Sequence, residues 1–273
     1  MKKIGILFLG LISVLSFSQN TRFVYQVSMK TDSTAAPKIE NAYLDISTEK
    51  SIFYGEKRMK RDSTIRQAME TRNFNFDRNS MEQFRTAITY SIEKNHATKT
   101  ISYKDRIARD QYWYDEDRTF NWKILPETVK IGEYETQKAE TTFAGRKWFA
   151  WFTQDLPFID GPYKFSGLPG LIVKVEDEKG YYSFDLKETK KIAELPNFES
   201  RFGNNIKVKR SEFLKQQEKF NKDPMSFFQN QGGGFAMRMG GNQNPQNEAE
   251  RRKMMEERLK EEAKANNNPL EKN

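Results

Sequence analysis

The residue types that most often do chemistry in proteins are scarce and scattered in this 273-residue chain. His96 is the only histidine, and it lies between Asn95 and Ala97 with neither a serine-elbow nor a zinc-helix motif beside it. That context predicts a solvated loop histidine. Two carboxylates near an aromatic stretch, Asp155 and Asp160, could support glycoside hydrolysis. Their spacing carries no signature, so we assign no catalytic residue and keep a carboxylate-dependent hydrolase as an alternative.

Metal and cofactor chemistry has equally few candidates. The chain has no cysteine, which excludes disulfide bonds, thiolate nucleophiles and cysteine-ligated metals. Methionine thioethers suit Cu(I), and the C-terminal region contains Met237, Met239, Met254 and Met255. No adjacent histidine or cysteine completes a site there. We therefore predict no metal and no cofactor, with copper binding by this region left as an alternative.

The densest aromatic stretch is the best candidate for a binding surface. Trp148 to Phe152 is apolar at every position, which predicts a strand covered on both faces by a helix, a loop or a bound apolar ligand. We predict that Trp148, Trp151 and Phe152 bind an apolar small molecule or a segment of a partner protein. The alternative is that these aromatic side chains belong to the core.

The rest of the chain supplies the strands that would position this stretch. Residues 23–29 alternate between apolar and more polar types, as in a strand with one buried face, and residues 42–46, 52–54, 86–92, 101–103, 112–114 and 120–124 repeat the pattern. Short strands at this spacing predict a mainly β fold. We expect a curved antiparallel meander sheet or half-barrel with one or two short helices, one of them near Thr64 to Thr71.

Both ends of the chain differ in composition from this β region. Lys2 and Lys3 precede an apolar run to Phe17, which predicts a signal peptide over residues 1–18, cleaved near Ser18-Gln19. The predicted domains are this peptide, an antiparallel β domain over residues 19–203, and residues 204–273. The last segment contains a helix, a linker rich in Gly, Asn and Gln, and a charged helical tail that we expect to be flexible.

Charge and hydropathy limit the classes of partner. The net charge is +8, but basic and acidic residues nearly balance within residues 19–203, so no basic face for nucleic acid is predicted. No apolar run of spanning length follows the signal peptide, which predicts no stable membrane span once it is cleaved. We expect a monomer in the periplasm or secreted from the cell.

Two tight turns lie between the aromatic stretch and the next predicted strand. Gly161 and Pro162 form a bend. Pro169 and Gly170 then fit the central positions of a type II turn, because proline fixes a negative φ and glycine allows a positive one. Leu171 and Ile172 begin the following strand, so we predict an architectural role for this motif, which consists of Gly161, Pro162, Gly167, Leu168, Pro169, Gly170, Leu171 and Ile172.

The hexapeptide Gly167–Ile172 resembles the signature of the GLPGLI family, exported proteins of Bacteroidetes-type bacteria. Further features occur in the family's order, namely Tyr134–Ala139, Gly145-Arg146, Ala150–Thr153, Gly161-Pro162 and Asn268–Glu271. The family often has a cysteine in the segment that matches Tyr134–Ala139, where this chain has Gln137, so no role built on that thiol applies. The resemblance implies no established catalytic activity.

The predicted function is therefore a non-catalytic binding role for an exported envelope protein. At the level of fold alone, the strand pattern is similar to envelope half-barrels that carry lipoproteins or sense lipids. An accessory or assembly factor for an outer-membrane receptor or transporter is a further alternative.

Overall fold

The computed structural model describes residues 20–73, 83–198, 203–229 and 245–272, and these residues form twelve strands and four helices. The signal peptide predicted over residues 1–18 lies outside the described residues. The strands are β1 (Asn20–Met29), β2 (Lys38–Ile46), β3 (Lys50–Gly55), β4 (Ser91–Asn95), β5 (Ile101–Ile107), β6 (Asp110–Asp115), β7 (Lys123–Ile131), β8 (Tyr134–Phe143), β9 (Arg146–Thr153), β10 (Leu171–Asp177), β11 (Tyr182–Ile192) and β12 (Asn205–Lys207). The helices are α1 (Glu56–Thr71), α2 (Arg210–Lys222), α3 (Pro224–Gln229) and α4 (Pro245–Lys264).

All twelve strands belong to one open sheet. Its order is β12-β6-β5-β4-β3-β2-β1-β11-β10-β9-β8-β7, so two antiparallel meanders, β1 to β6 and β7 to β11, join where β1 pairs with β11. Only β12 runs parallel to its neighbour, β6. The predicted mainly β fold with an antiparallel meander sheet is confirmed.

The sheet bends around an apolar interior. Phe23, Tyr25 and Val27 of β1 are fully buried, which is the burial that their alternation predicts. Phe53 on β3 and Phe184 on β11 are three strand spacings apart, about 14 Å along a flat sheet. Their ring centroids nevertheless lie 6.1 Å apart, because the sheet is curved and both side chains point to its concave face.

The concave face is filled by the protein itself. Residues 154–170, here called the inner loop, connect β9 to β10 and bring Tyr163, Phe165 and Leu168 into the core. The Phe165 ring lies 4.8 Å from that of Trp148 and 6.2 Å from that of Phe184. The side chains of this loop therefore occupy the space that an apolar ligand would need.

Strand β9 is covered on one face only, unlike the prediction. Trp148, Ala150 and Phe152 are buried on the concave side, whereas Phe149 and Trp151 are half-buried on the outer side. Lysine ammonium groups lie over these two outer rings, within 4.6–5.6 Å of their centroids. The long apolar stems of lysine shield the rings while the charges stay near water, so no helix, loop or ligand is required there.

Two predicted strand segments have different structures because remote side chains bind them. At residues 86–88, the Glu40 carboxylate accepts hydrogen bonds from the Thr86 hydroxyl and the Ala87 amide, at 2.5 and 2.9 Å; strand β4 begins only at Ser91. The Trp122 indole donates to the carbonyl of Ser166 in the inner loop, at 2.8 Å. Strand β7 therefore starts after it, at Lys123.

The C-terminal tail was predicted to be flexible, but its last residues are bound to the β sheet. Residues 267–272, here called the tail segment, pack against the β sheet, and Asn268 is 5% exposed. The Asn268 amide donates to the Thr31 carbonyl and the Lys272 amide to the Ala144 carbonyl, each at 2.8 Å. These hydrogen bonds fasten the end of the chain, so our boundary at residue 204 does not separate the β domain from everything that follows. The linker was predicted over residues 225–247, but its two ends belong to helices α3 and α4, and residues 230–244 lie outside the described residues.

The turn before β10 is tighter than the predicted type II turn. The Gly170 amide donates to the Leu168 carbonyl at 2.8 Å, which closes a three-residue turn around Pro169. Gly170 has a φ of +154°, and a Cβ added there would lie 2.0 Å from the carbonyl oxygen of Thr153. Close approach of two backbones, as well as positive φ, therefore requires glycine at this position.

We expect Gly170→Ala to destabilise the protein by a few kcal/mol, since the methyl group would force β9 and β10 apart. Gly167→Ala is the matched control, because Gly167 also has a positive φ of +91° but faces open space; it should cost only about 1–2 kcal/mol. Urea unfolding of both variants measures the difference. Equal losses of stability would show that the contact with Thr153 is unimportant.

Candidate functional site

A cleft of about 350 Å³ opens at one end of the sheet, where the inner loop meets two turns. The turn after β2 supplies Ser47 and Thr48, and the turn after β4 supplies His96 and Lys99. The remaining lining residues are Ile46, Pro157, Phe158, Ile159 and Asp160. Three segments that are distant in sequence thus form one small concave surface.

A buried ion pair forms the floor of this cleft. The Lys94 ammonium donates to the Asp160 carboxylate at 2.6 Å and to the carbonyls of Gly161 and Phe165 at 2.6 and 2.9 Å. Its three N–H groups are therefore matched by three acceptors. Burial alone would raise the pKa of Asp160, but the charge of Lys94 and hydrogen bonds from His96 and Lys94 hold it below its usual value. Burial lowers the pKa of Lys94, and the charge and hydrogen bond of Asp160 oppose that effect. The floor is therefore a buried carboxylate–ammonium pair.

His96 lies on that floor with both ring nitrogens close to protein oxygens. Nε2 is 3.7 Å from Asp160 Oδ2, and Nδ1 is 3.3 Å from the Thr48 carbonyl. The nearby Asp160 carboxylate raises the pKa of His96, because acceptors beside both nitrogens favour the doubly protonated ring. The raised pKa favours the positively charged ring, and the two nearby oxygens leave neither ring nitrogen free to act as a general base.

The outer wall of the cleft is apolar. Ile159 is 68% exposed, more than any other large apolar side chain in the described residues. Its neighbour Phe158 is half-buried and packs edge-on against Phe23, with ring centroids 5.3 Å apart. An apolar wall opposite His96 and Lys99 suits a ligand that carries an apolar body and an anionic group.

The geometry gives no support to hydrolysis by Asp155 and Asp160. Asp160 is ion-paired to Lys94 and its pKa is lowered, whereas a general acid needs a raised pKa. Asp155 is exposed at the surface. The two carboxylates have opposite surroundings, one buried in an ion pair and the other exposed to solvent.

A second cleft of about 340 Å³ lies between the β7–β8 turn and β11. Its wall includes Glu133 and Glu188 together with Lys187. Tyr134 borders it, and burial is the main reason that the pKa of its hydroxyl is raised. Without an excess of positive charge or an exposed apolar wall, this cleft is the weaker candidate.

The three aromatic residues predicted to bind a ligand do not converge. Trp148 and Phe152 are each 1% exposed on the concave face, whereas Trp151 lies on the outer face. The predicted motif residues lie along the inner loop and the start of β10, with Pro162, Leu168, Leu171 and Ile172 buried. At Gly161, an added Cβ would lie 2.8 Å from Cδ1 of Ile172.

Sequence reasoning considered His96 and Asp160 separately and did not bring them together, and it missed Lys94, although one signal was available. Lys94 lies two residues after buried Ile92 in β4, on the same face of the strand. A charged residue therefore occupies a position on the buried face. Such a residue needs a partner of opposite charge. Nothing local identifies Asp160 as that partner, because it lies 66 residues further along the chain.

A second buried polar centre lies deeper, beneath the tail segment. The Lys164 ammonium is fully buried and donates to the Tyr114 hydroxyl, Glu116 and Glu271, at 2.9, 2.6 and 2.6 Å. Arg118 binds both carboxylates, at 2.7 Å each. Burial opposes ionisation of Glu116, but hydrogen bonds and charge from Arg118 and Lys164 lower its pKa to about 2. The pKa of Glu271 is lowered by the same two cations in spite of burial.

The central part of the chain matches a known protein family, and the fold is similar to those of solved structures. A family described as "Protein of unknown function (Porph_ging)" matches residues 141–174, which include β9, the inner loop and the start of β10. This agrees with a Bacteroidetes-type family, whereas the GLPGLI assignment stays a prediction. No curated protein matches the chain significantly.

Two crystal forms of PNGF-II resemble the fold. One is 18% identical with a TM-score of 0.51, and the other is 17% identical with a TM-score of 0.52. Each match covers 72% of this chain, and the chain spans about a third of PNGF-II, 33% and 32% of its length. A LolA superfamily protein from Nitrosomonas europaea matches 66% of this chain and 88% of its own length, at 10% identity and a TM-score of 0.27. The predicted likeness to envelope carriers therefore stays a prediction.

Two further observations concern membranes and metals. Among the described residues, no helix is long and apolar enough to cross a bilayer. Within the same ranges, no three histidine or acidic side chains are grouped closely enough to hold a metal ion. Of the methionines considered for copper, Met237 and Met239 lie outside the described residues, and Met254 is exposed on α4.

We expect Lys94→Met to destabilise the protein by about 3–5 kcal/mol at neutral pH, because it leaves the buried Asp160 carboxylate without its cation. The loss should shrink in acid, where Asp160 becomes protonated. Lys50→Met is the control, since Lys50 forms an exposed pair with Glu93 one strand away and should cost about 1 kcal/mol or less. Urea unfolding at several pH values tests this; similar losses for both variants would contradict it.

We expect the free energy of unfolding to fall as the pH drops from about 4.5 to about 2. Glu116 and Glu271 have depressed pKa values in the folded protein, so the unfolded chain binds more protons in this range and acid favours unfolding. Glu116→Gln already lacks the ionisable group and should show a weaker pH dependence. An unchanged slope in that variant would exclude Glu116 as a source of acid sensitivity.

Proposed function

We propose that this protein is an exported binding protein whose ligand is a small amphipathic anion held, without catalysis, in the cleft around His96. The ligand's apolar part lies against Phe158 and Ile159, and its anionic group lies near His96 and Lys99. The location is the periplasm or the extracellular space, as the predicted signal peptide indicates.

The observation that carries this proposal is the exposed apolar wall in the same cleft as Lys99 and His96, a histidine whose pKa is raised. Ile159 is 68% exposed. A ligand that covers such a side chain removes apolar surface from water, which makes binding more favourable by up to about 1.5–3 kcal/mol. Asp160 cannot cancel the positive charge of the cleft, since its carboxylate is already paired with Lys94. The cleft volume of about 350 Å³ lies at the small end of known ligand sites.

The filled concave face supports this site over an internal one. A carrier with an empty half-barrel would offer its interior, but Tyr163, Phe165 and Leu168 of the inner loop occupy that space here. Binding of a partner protein, as in an accessory factor for an outer-membrane receptor, stays an alternative prediction.

Dodecanoate is a suitable probe, because it joins an apolar chain to a carboxylate. We expect Ile159→Asp to weaken its binding about tenfold or more, through loss of apolar contact and repulsion of the carboxylate. Ile124→Asp is the matched control, since Ile124 is 47% exposed on β7, outside the cleft. Isothermal titration calorimetry measures both, and equal affinities would refute the site.

Dodecanol has the same apolar chain as dodecanoate but no charge, so a comparison of the two probes tests the role of the carboxylate. Dodecanoate affinity should fall as the pH rises through the raised pKa of His96, because the imidazolium loses its proton, whereas dodecanol affinity should not change. His96→Gln should remove the pH dependence while leaving dodecanol binding intact. Equal pH profiles for the two probes would show that His96 does not recognise the anionic group.

A further inference from the structure

The tail segment lies in a groove formed by three parts of the sheet. The end of β1 with Lys30 and Thr31 forms one side, and the β8–β9 turn with Ala144 and Gly145 forms the other. Arg146, at the start of β9, lies at the centre. The tail is fastened along its whole length between these parts.

Arg146 recognises the backbone of the tail. Its Nε donates to the Leu270 carbonyl at 2.9 Å, and its Nη2 donates to the Pro269 carbonyl and to Asn268 Oδ1, each at 2.6 Å. Asp177 binds the remaining side of the guanidinium at 2.8 Å. The guanidinium also lies 4.7 Å from the centre of the Tyr182 ring. Asp177 and Tyr182 belong to the sheet, so they orient Arg146 whether or not a tail is present.

Side chains of the tail supply the specificity. Asn268 Nδ2 donates to the Lys30 carbonyl at 2.6 Å, while the backbone carbonyl of Asn268 accepts from the Tyr182 hydroxyl at 2.5 Å whatever the side chain. The Glu271 carboxylate accepts from Tyr163, Lys164 and Arg118 at 2.5, 2.6 and 2.7 Å. Arg210 also lies 3.5 Å from this carboxylate. Without Glu271, the buried Lys164 and the partly buried Arg118 would share Glu116, so this end of the groove selects a carboxylate.

The tail contributes little to the apolar core. Leu270 packs partly buried against the main core, while the other anchors are polar. One apolar side chain, one carboxylate and a row of backbone hydrogen bonds are typical of a domain that binds a peptide. Helix α4, which precedes the tail, packs against α2 and α3.

We propose that this groove is a peptide-recognition site for the segment Asn268–Glu271, and that a second copy of this chain can fill it with its own tail. The second copy is the occupant that reproduces every contact, because its sequence is identical. Residues 223–266 join α2 to the tail, and the twenty-residue α4 alone spans about 30 Å. This arm is long enough to reach a neighbouring molecule.

The chain's own tail competes with that of a second copy. A tethered segment has an effective concentration of about millimolar, so the intramolecular arrangement dominates in dilute solution. A chain whose own tail cannot bind leaves its groove vacant for the tail of another molecule.

Two complementary full-length variants test the proposal. The tail variant, Asn268→Ala with Glu271→Ala, has an intact groove, whereas the groove variant, Arg146→Ala, has an intact tail. We expect each to be monomeric alone and the equimolar mixture to form a complex of twice the mass, seen by size-exclusion chromatography with light scattering. Adding Glu271→Ala to the groove variant should abolish the complex.

Controls for folding keep the test decisive. If both variants unfold cooperatively and the mixture stays monomeric, the proposal is wrong. If either variant fails to fold, hydrogen exchange of the unmodified protein decides: the amides of Asn268 and Lys272 should exchange by local opening, faster than the buried amides of β1. Exchange of these two amides only through global unfolding would overturn the proposal, since the groove would never be vacant.

Discussion

Two buried lysines hold the inner loop on the concave face of the sheet, and the rest of the structure depends on that placement. Lys94 binds the loop from β4, while Lys164 projects from the loop toward β6 and the tail. Burying an ammonium costs several kcal/mol unless its donors are matched, and each lysine has three acceptors. A displaced loop would leave these charges unpaired, so the ion pairs specify one position for it.

The filled interior explains why candidate binding surfaces lie at the rim of the sheet. Phe165 contacts aromatic rings from β9 and β11, so the centre of the concave face is protein core. The cleft around His96 forms where the loop leaves this core and exposes Ile159. The same loop that closes the interior therefore creates an accessible surface at its edge.

Charge balance connects the loop to the end of the chain. Lys164, Arg118 and Arg210 together exceed the charge of Glu116, and Glu271 from the tail supplies a second carboxylate that contacts all three. Asn268–Glu271 was noticed in the sequence only as a feature that accompanies the hexapeptide of the inner loop. The structure supplies a physical reason for their occurrence together, since residues of the loop and the tail share one buried ion cluster.

Local pattern predicted the strands, because alternation of side chains between two faces is a property of each strand by itself. The short spacing between the strands predicted their arrangement in a meander. Local pattern failed at residues 86–88 and at Trp122, where the Glu40 carboxylate and the Ser166 carbonyl bind the chain from a distance. Local pattern also grouped Trp151 with Trp148, although the two side chains lie on opposite faces of β9.

Tertiary structure alone decided the candidate site and the position of the tail. Lys94 and Asp160 are 66 residues apart, and Arg146 and Asn268 are 122 apart, so no local pattern links them. The sequence determined the alternation along the strands, but the predicted strand ended at residue 92. The structure extends β4 to Asn95, which puts the charge of Lys94 on a buried face where it needs a partner of opposite charge. Only the curvature of the sheet, which brings the inner loop over β4, decided which carboxylate it would be.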